Sequence, residues 1–185
     1  MRAVLLGVDE GFLAERERLG QHRLDECWEG EWHLVNPPRM WHNLLNSGLF
    51  RVLVILGERR GLVGSCEATG VFAADDDWRV PDQVHCRPDD LIEAGVTSAE
   101  LVVEVRSPGD DSYAKLPFYA ARGVTEVLIV HEDRRVELYR RRDDVTMVQI
   151  EHPDGSATSD VLGCTFTRVD GPRLLVTWDD GSAEL

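Results

Sequence analysis

Hydrophobic and polar residues recur with different periods along this chain, and each change of period marks a new element. From Asp9 to about Arg23, "DEGFLAERERLGQHR" carries a weak apolar side of Phe12, Leu13 and Leu19 among alternating charges, which predicts a short amphipathic helix. "EGEWHLVNPP" turns at Glu29-Gly30 and alternates through Trp32 and Leu34 as a strand does. It stops at Pro37-Pro38, where the ladder loses its donors. In "MWHNLLNSGLFRVLVILGE" the residues Trp41, Leu44, Leu45, Leu49, Val52, Leu53 and Leu56 fall at helical spacing, which predicts the main core helix with Gly57 as its C-cap.

Beyond this helix the period shortens. Glycines, an "ADDD" cluster and alternating apolar residues from Gly61 to Val84 predict strands joined by turns, and "VPDQVHCRPDDL" leads into a loop. "SAELVVEVRS" is a dense β-branched run and predicts a central strand with no solvated face. "AKLPFYAARGV" predicts a helix that stops at Gly123, with Tyr119 one turn after Lys115 and Pro117 tolerated only near its start. "TEVLIVHEDRRVELYRRR" predicts two strands around a Glu-Asp turn, and short β segments continue through "RLLVTW". Helix, strand, helix, several strands, helix and a β-rich C-terminal part together predict a mixed α/β (α+β) domain organised on one central sheet.

Composition narrows the picture. A chain of 185 residues, 43% hydrophobic and 29% charged, suits a single domain with its own core. The early run "AVLLGV" is too short for a secretory signal or a membrane span, so a cytoplasmic protein with no membrane partner is expected. Cys27, Cys66, Cys86 and Cys164 form no C-x-x-C pair and are expected to be reduced and mostly buried. The formal net charge of −14 opposes broad contact with a phosphate backbone. Arg134, Arg135, Arg140, Arg141 and Arg142 run against that trend. They form either a local basic ridge or a solvated hairpin with its charges on the outer face.

Of the 20 basic residues, 19 are arginine, and the only lysine is Lys115. Lysine is a compact point charge whose pKa responds to burial, whereas guanidinium is broad and always charged. Lys115 follows a second oddity, Glu104, a carboxylate inside a Leu-Val-Val/Val run that would be desolvated unless paired or bound to a cation. Asp82 in "VPDQV" lies 104 − 82 = 22 residues earlier, enough for a loop and a return on a neighbouring strand. Lys115 lies 115 − 104 = 11 residues later, which suits a turn through "SPGDD" and a helix packed back on the sheet. Two carboxylates and a lysine are the inventory of metal-assisted phosphodiester hydrolysis. A structural ion pair between Glu104 and Lys115 or an arginine is the alternative.

The ordered string "PDQVHCRPDDL…ELVVEVRSPGDDSYAKLPFYAARGVTEVLIVHEDRRVELYRR" resembles the Uma2 family, formerly a domain of unknown function, described as candidate restriction endonucleases of the PD-(D/E)xK superfamily. The matching features are Asp82, Glu104, Ser107-Pro108, Asp111, Lys115, Tyr119 and Gly123-Val124-Thr125-Glu126, preceded by Glu26, Gly30 and His42, over roughly residues 15 to 142. The resemblance implies a restriction-endonuclease-like fold, a central mixed sheet flanked by helices, in one domain spanning residues 1–185. It also implies Asp82 and Glu104 as ligands of Mg²⁺ or Mn²⁺, Lys115 as the catalytic lysine, and DNA as substrate. In the wider superfamily the lysine stands two residues after the acid, where this chain has Arg106, so Arg106 is a second candidate for that role.

Glu26 is read either as a further acid from the N-terminal helical region or as a surface or capping residue. Asp111 either fixes Lys115 or caps its helix. His42 is read as a packed or hydrogen-bonded histidine at a helix start and Tyr119 as core, while His33, His85 and His131 suggest nothing specific. A non-catalytic or regulatory protein on the same scaffold is the competing function. A homodimer is expected by analogy, since two sites serve two strands.

Overall fold

The computed structural model describes residues 3–5, 7–66 and 68–185. The chain runs through β1 (Ala3–Leu5), α1 (Glu10–Arg18), β2 (Glu26–Trp28), β3 (Glu31–Leu34), α2 (Met40–Glu58), β4 (Val63–Cys66), β5 (Gly70–Ala74), β6 (Asp77–Arg79), β7 (Gln83–Cys86), β8 (Leu91–Ile92) and β9 (Gly95–Val96). It continues with β10 (Leu101–Arg106), α3 (Leu116–Ala121), β11 (Glu126–His131), β12 (Val136–Arg141), β13 (Met147–Ile150), β14 (Ala157–Ser159), β15 (Cys164–Val169), β16 (Arg173–Trp178) and β17 (Gly181–Glu184). The fold is mixed α+β, as the alternation of periods predicts. The strands divide among three sheets where one was expected: a central sheet ordered β13-β12-β11-β10-β7-β4, an N-terminal one ordered β1-β3-β2-β6-β5-β9-β8, and a C-terminal one ordered β14-β15-β16-β17.

Strand β10 lies in the middle because both of its faces are apolar. It pairs in parallel with β11 and antiparallel with β7, and every residue from Leu101 to Val105 is buried. Leu101, Val103 and Val105 join Leu49, Leu53, Phe166 and Leu174 on one side, under α2 and the C-terminal sheet. Val102 faces the other way and packs with Tyr119, Val124 and Val127. Glu104 follows Val102 on this second face, because side chains alternate along a strand. The parallel pairing of β10 and β11 requires a crossover, and the segment from Ser107 to Thr125, with α3, supplies it.

Several local expectations shift. Helix α1 is short and buries no residue, since an apolar side of three residues is too narrow to pack. It is held at its start by Asp9, whose side chain accepts from the Phe12 amide, and a 3₁₀ turn at Gln21–Leu24 follows it. Leu44 on α2 is 67% exposed, while His42 and Asn46 take the inward positions beside it. Gly57 lies within α2, not after it. A Cβ there would stand 3.3 Å from His85 Nδ1, so close approach to β7 is the reason for glycine. The helix stops instead before Gly61, at φ +74°. The Glu29-Gly30 turn is confirmed, with φ of 50° and 87°.

The arginine hairpin is neither wholly a free basic ridge nor wholly a solvated outer face. Arg135 pairs with Glu137, Arg140 with Glu126 and Asp160, and Arg141 donates to the Ala120 carbonyl. Cys27, Cys86 and Cys164 are free thiols and buried. Among the described residues no helix is long and apolar enough to cross a membrane.

His85 on β7 is fully buried against Gly57 and Gly64, and burial lowers its pKa to about 4 from an ordinary 6.5. Below pH 6.5 the unfolded chain takes a proton that the folded chain refuses, so this group removes stability as pH falls from 6.5 towards 4. Urea unfolding at pH 7.5 and pH 5 is expected to show a loss from this source of about 2 kcal/mol. The loss is read as the difference between wild type and His85→Gln. Equal acid slopes for the two proteins would show that His85 is not the cause.

Candidate active site

The antiparallel ladder between β7 and β10 ends at Gln83 opposite Val103. Asp82 lies one residue before β7, where the pairing has ended. There the backbone amide of Val105, which a continuing ladder would have used, donates instead to Asp82 Oδ2 at 2.6 Å. The second oxygen, Oδ1, lies 2.7 Å from His42 Nε2 on the first turn of α2, and the Asp82 carbonyl accepts from Asn46 Nδ2 at 3.4 Å. Helix α2 thereby holds Asp82 from one side and β10 from the other. The Asp82 carboxylate and the negative charges of Glu104 and Asp110 outweigh the burial of His42 and raise its pKa.

Glu104 is 5% exposed and needs a partner for its charge. Lys115 Nζ donates to Glu104 Oε1 at 2.9 Å, and the Tyr119 hydroxyl donates to the same oxygen at 2.6 Å. Lys115 is the last residue of a 3₁₀ turn, Ser112–Lys115, and the N-cap of α3; Tyr119 follows one turn later. The crossover thus lays both donors on the face of β10 that carries Glu104. Burial is the largest influence on Glu104. With the nearby charges of Asp82 and Glu26 it prevails over Lys115 and Tyr119, and the carboxyl is pushed up to about 7. Tyr119 is held well above its ordinary value by burial and by the Glu104 and Glu26 carboxylates.

Glu26 completes the arrangement from the N-terminal sheet. It lies on β2, not in the helical region, and is 1% exposed. Its Oε1 is 2.8 Å from Lys115 Nζ and accepts from the Val80 amide, while Oε2 accepts from Trp28 Nε1 at 2.8 Å. Glu26, Asp82, Glu104, His42 and Lys115 line one cleft of about 390 Å³, between a lip at Val35–Arg39 and another at Ser107–Asp111. Three carboxylates therefore share one lysine and one histidine.

A family model described as "Uma2: Putative restriction endonuclease" matches residues 13–169. The chain belongs to the Uma2 family. The match reaches beyond residue 142, into β15. Among solved structures, the chain is similar to one from Anabaena variabilis ATCC 29413 described as "a putative nuclease belonging to DUF820", at 16% identity and a TM-score of 0.59. The alignment covers 75% of this chain and 82% of that one, which shows a shared fold. A search of curated proteins gives no match.

The Uma2 motif residues do not all converge. Asp82, Glu104, Lys115 and Glu26 share the cleft. Arg106 does not line it; its guanidinium lies 3.6 Å from Asp110 and stacks 5.0 Å from the Tyr113 ring. Asp111 lines the cleft yet makes no side-chain cap to the turn that follows it. Its neighbour Asp110 is the organiser of that loop, accepting from the amides of Ser107 and Ser112 and from the Ser112 hydroxyl. Tyr119 is core, as expected, and also a ligand of Glu104. The sequence signal for this was available: a tyrosine one helical turn after the lone lysine can reach what the lysine reaches. His42 is hydrogen-bonded as read, but its partner, 40 residues away, was not foreseeable from spacing.

Removing one member of a buried ion pair leaves the other charged and unpaired. Lys115→Met is expected to cost about 3–5 kcal/mol in urea unfolding. Adding Glu104→Gln should recover part of that loss, because it removes one of the two stranded carboxylates. Strict additivity of the two substitutions would show that the pair is not coupled.

Proposed function

We propose that this Uma2-family chain is a divalent-metal-dependent nuclease that hydrolyses phosphodiester bonds of nucleic acid, DNA in the first instance. The observation that carries the reading is the placement of the only lysine, 2.8 Å from Glu26 and 2.9 Å from Glu104, in a cleft that Asp82 also lines. The residues fit a hard cation. Asp82 and Glu104 offer carboxylate oxygens from neighbouring strands, and the excess of negative charge around Glu104 favours a positive occupant. Among the described residues no group of three or more His, Cys, Asp and Glu side chains is disposed to hold a metal. Asp82 and Glu104 would therefore hold Mg²⁺ or Mn²⁺ with water and phosphate oxygens as the remaining ligands, as suits Mg²⁺.

When bound, the cation would supply a Lewis acid for the phosphoryl oxygen and a more acidic water. The chain's own residues do the rest. Lys115, braced between two acids, presents a fixed positive charge to the negative charge that grows on the phosphoryl group. Its partners hold it in place, so little reorganisation is needed during reaction. His42 and the Val105 amide fix the Asp82 carboxylate, and Tyr119 fixes Glu104. Arg106, engaged with Asp110 and Tyr113, is poorly placed to share the work of Lys115.

The same ion pairs favour a second reading, a scaffold without catalysis, because every donor around Glu104 already has an internal partner. Calorimetry with Mn²⁺ and Mg²⁺ separates the two. The nuclease reading expects binding to the wild type and its loss in Asp82→Ala and in Glu104→Ala, with folding verified by circular dichroism. No binding to folded wild type at millimolar metal would favour the scaffold. In cleavage assays Lys115→Arg is expected to lose about 10²-fold or more in rate, since the broad guanidinium cannot occupy the slot between Glu26 and Glu104.

A further inference from the structure

Three features of the molecule bear on what kind of nucleic acid could reach this cleft. The first is charge. The formal net charge is −14, and of the five hairpin arginines two are matched by acids, Arg135 by Glu137 and Arg140 by Glu126 and Asp160. The second is the balance within the cleft itself, where the acids Glu26, Asp82, Glu104, Asp110 and Asp111 meet two full cations, Lys115 and Arg39. Lys115 is committed to Glu26 and Glu104. Arg39 is exposed on the lip, directly after Pro37-Pro38, and among the described residues its side chain has no ion-pair partner. The third is size and lining. About 390 Å³ is near the lower end of the about 300–1,000 Å³ usual for small-molecule pockets. Leu24, Val35, Val80 and the prolines of the two lips give it apolar walls.

A duplex is a stiff rod with a charge about every 1.7 Å of its axis, and proteins that hold it commonly neutralise about 6–10 phosphates. Among the described residues the cleft is lined by two cations and five acids, so the flanking phosphates of a duplex would meet more negative than positive charge. A single strand is flexible and less densely charged. It can lead one phosphodiester into a recess and turn its flanks away, and an unstacked base can lie on apolar walls. We infer that, given the nuclease reading on which this rests, the substrate is unpaired nucleic acid, a single strand or a frayed end, with Arg39 as the phosphate-positioning residue at the cleft mouth.

The test measures kcat/KM in Mn²⁺ on a fluorescent single-stranded oligonucleotide, the same sequence as a blunt duplex, and a duplex with a single-stranded tail. The expectation is at least about tenfold faster cleavage of the single strand than of the blunt duplex, with cuts in the tail. For so few phosphate contacts, log kcat/KM should fall with log salt at a slope of only about −0.7 to −1.4. Arg39→Ala should lower kcat/KM on the single strand about tenfold through KM with kcat held, and make that slope shallower by about 0.7. A blunt duplex cut as fast as the strand, or a steep salt slope, overturns the substrate inference and leaves the nuclease reading standing. Cleavage of none of the three overturns both.

Discussion

A carboxylate buried in the middle of a valine-rich strand has to be answered by charge, and the answer given to Glu104 organises the rest of the site. Lys115 and Tyr119 come from the crossover that any parallel strand pair requires, so the same connection that closes the central sheet delivers the counter-charge. Glu26 reaches the other side of Lys115 from a different sheet. A buried ionic cluster of this kind is a weak source of stability, since desolvation offsets most of the attraction. Its persistence in a strand that could have been wholly apolar argues for use and not for strength.

The end of the β7–β10 ladder is the second half of the same device. Where backbone pairing stops, Asp82 takes over the Val105 amide and is placed against Glu104. After burial, the negative charge of Asp82 is one reason the Glu104 carboxyl is pushed up to about 7. Such a pair is relieved by a cation. The asymmetry matters: Asp82 keeps a histidine and a backbone amide, while Glu104 keeps the lysine, so the two acids are oriented independently.

The electrostatics outside the cleft point in a different direction from those of a protein that tracks along a duplex. Two arginines that look available in one dimension, Arg135 and Arg140, are spent on buried acids. Glu126 is fully buried and is matched by Arg140, and Glu137 gathers Arg135, His131, Tyr113 and Tyr139. That second network ties the turn bearing Tyr113, two residues before Lys115, to the β11–β12 hairpin. Part of the hairpin's positive charge is thereby used for internal cohesion.

Sequence alone determined most of the elements and the pairing of Glu104 with Lys115, because both depend on local pattern. A β-branched run names a buried strand, a carboxylate within it names an unsatisfied charge, and a lone lysine eleven residues on, 115 − 104, names its partner. Where a side chain's role depends on a neighbour distant in the chain, only the tertiary structure decided it. Glu26 reads as either a further acid or a surface residue until β2 packs over Lys115, 89 residues away by 115 − 26, and His42 has no evident partner until α2 meets the start of β7. Arg140 reads as part of either a ridge or a solvated hairpin until Glu126 and Asp160, the acids that meet it, are known. Local periodicity reports which way a residue faces, and it carries no information about what comes to lie opposite.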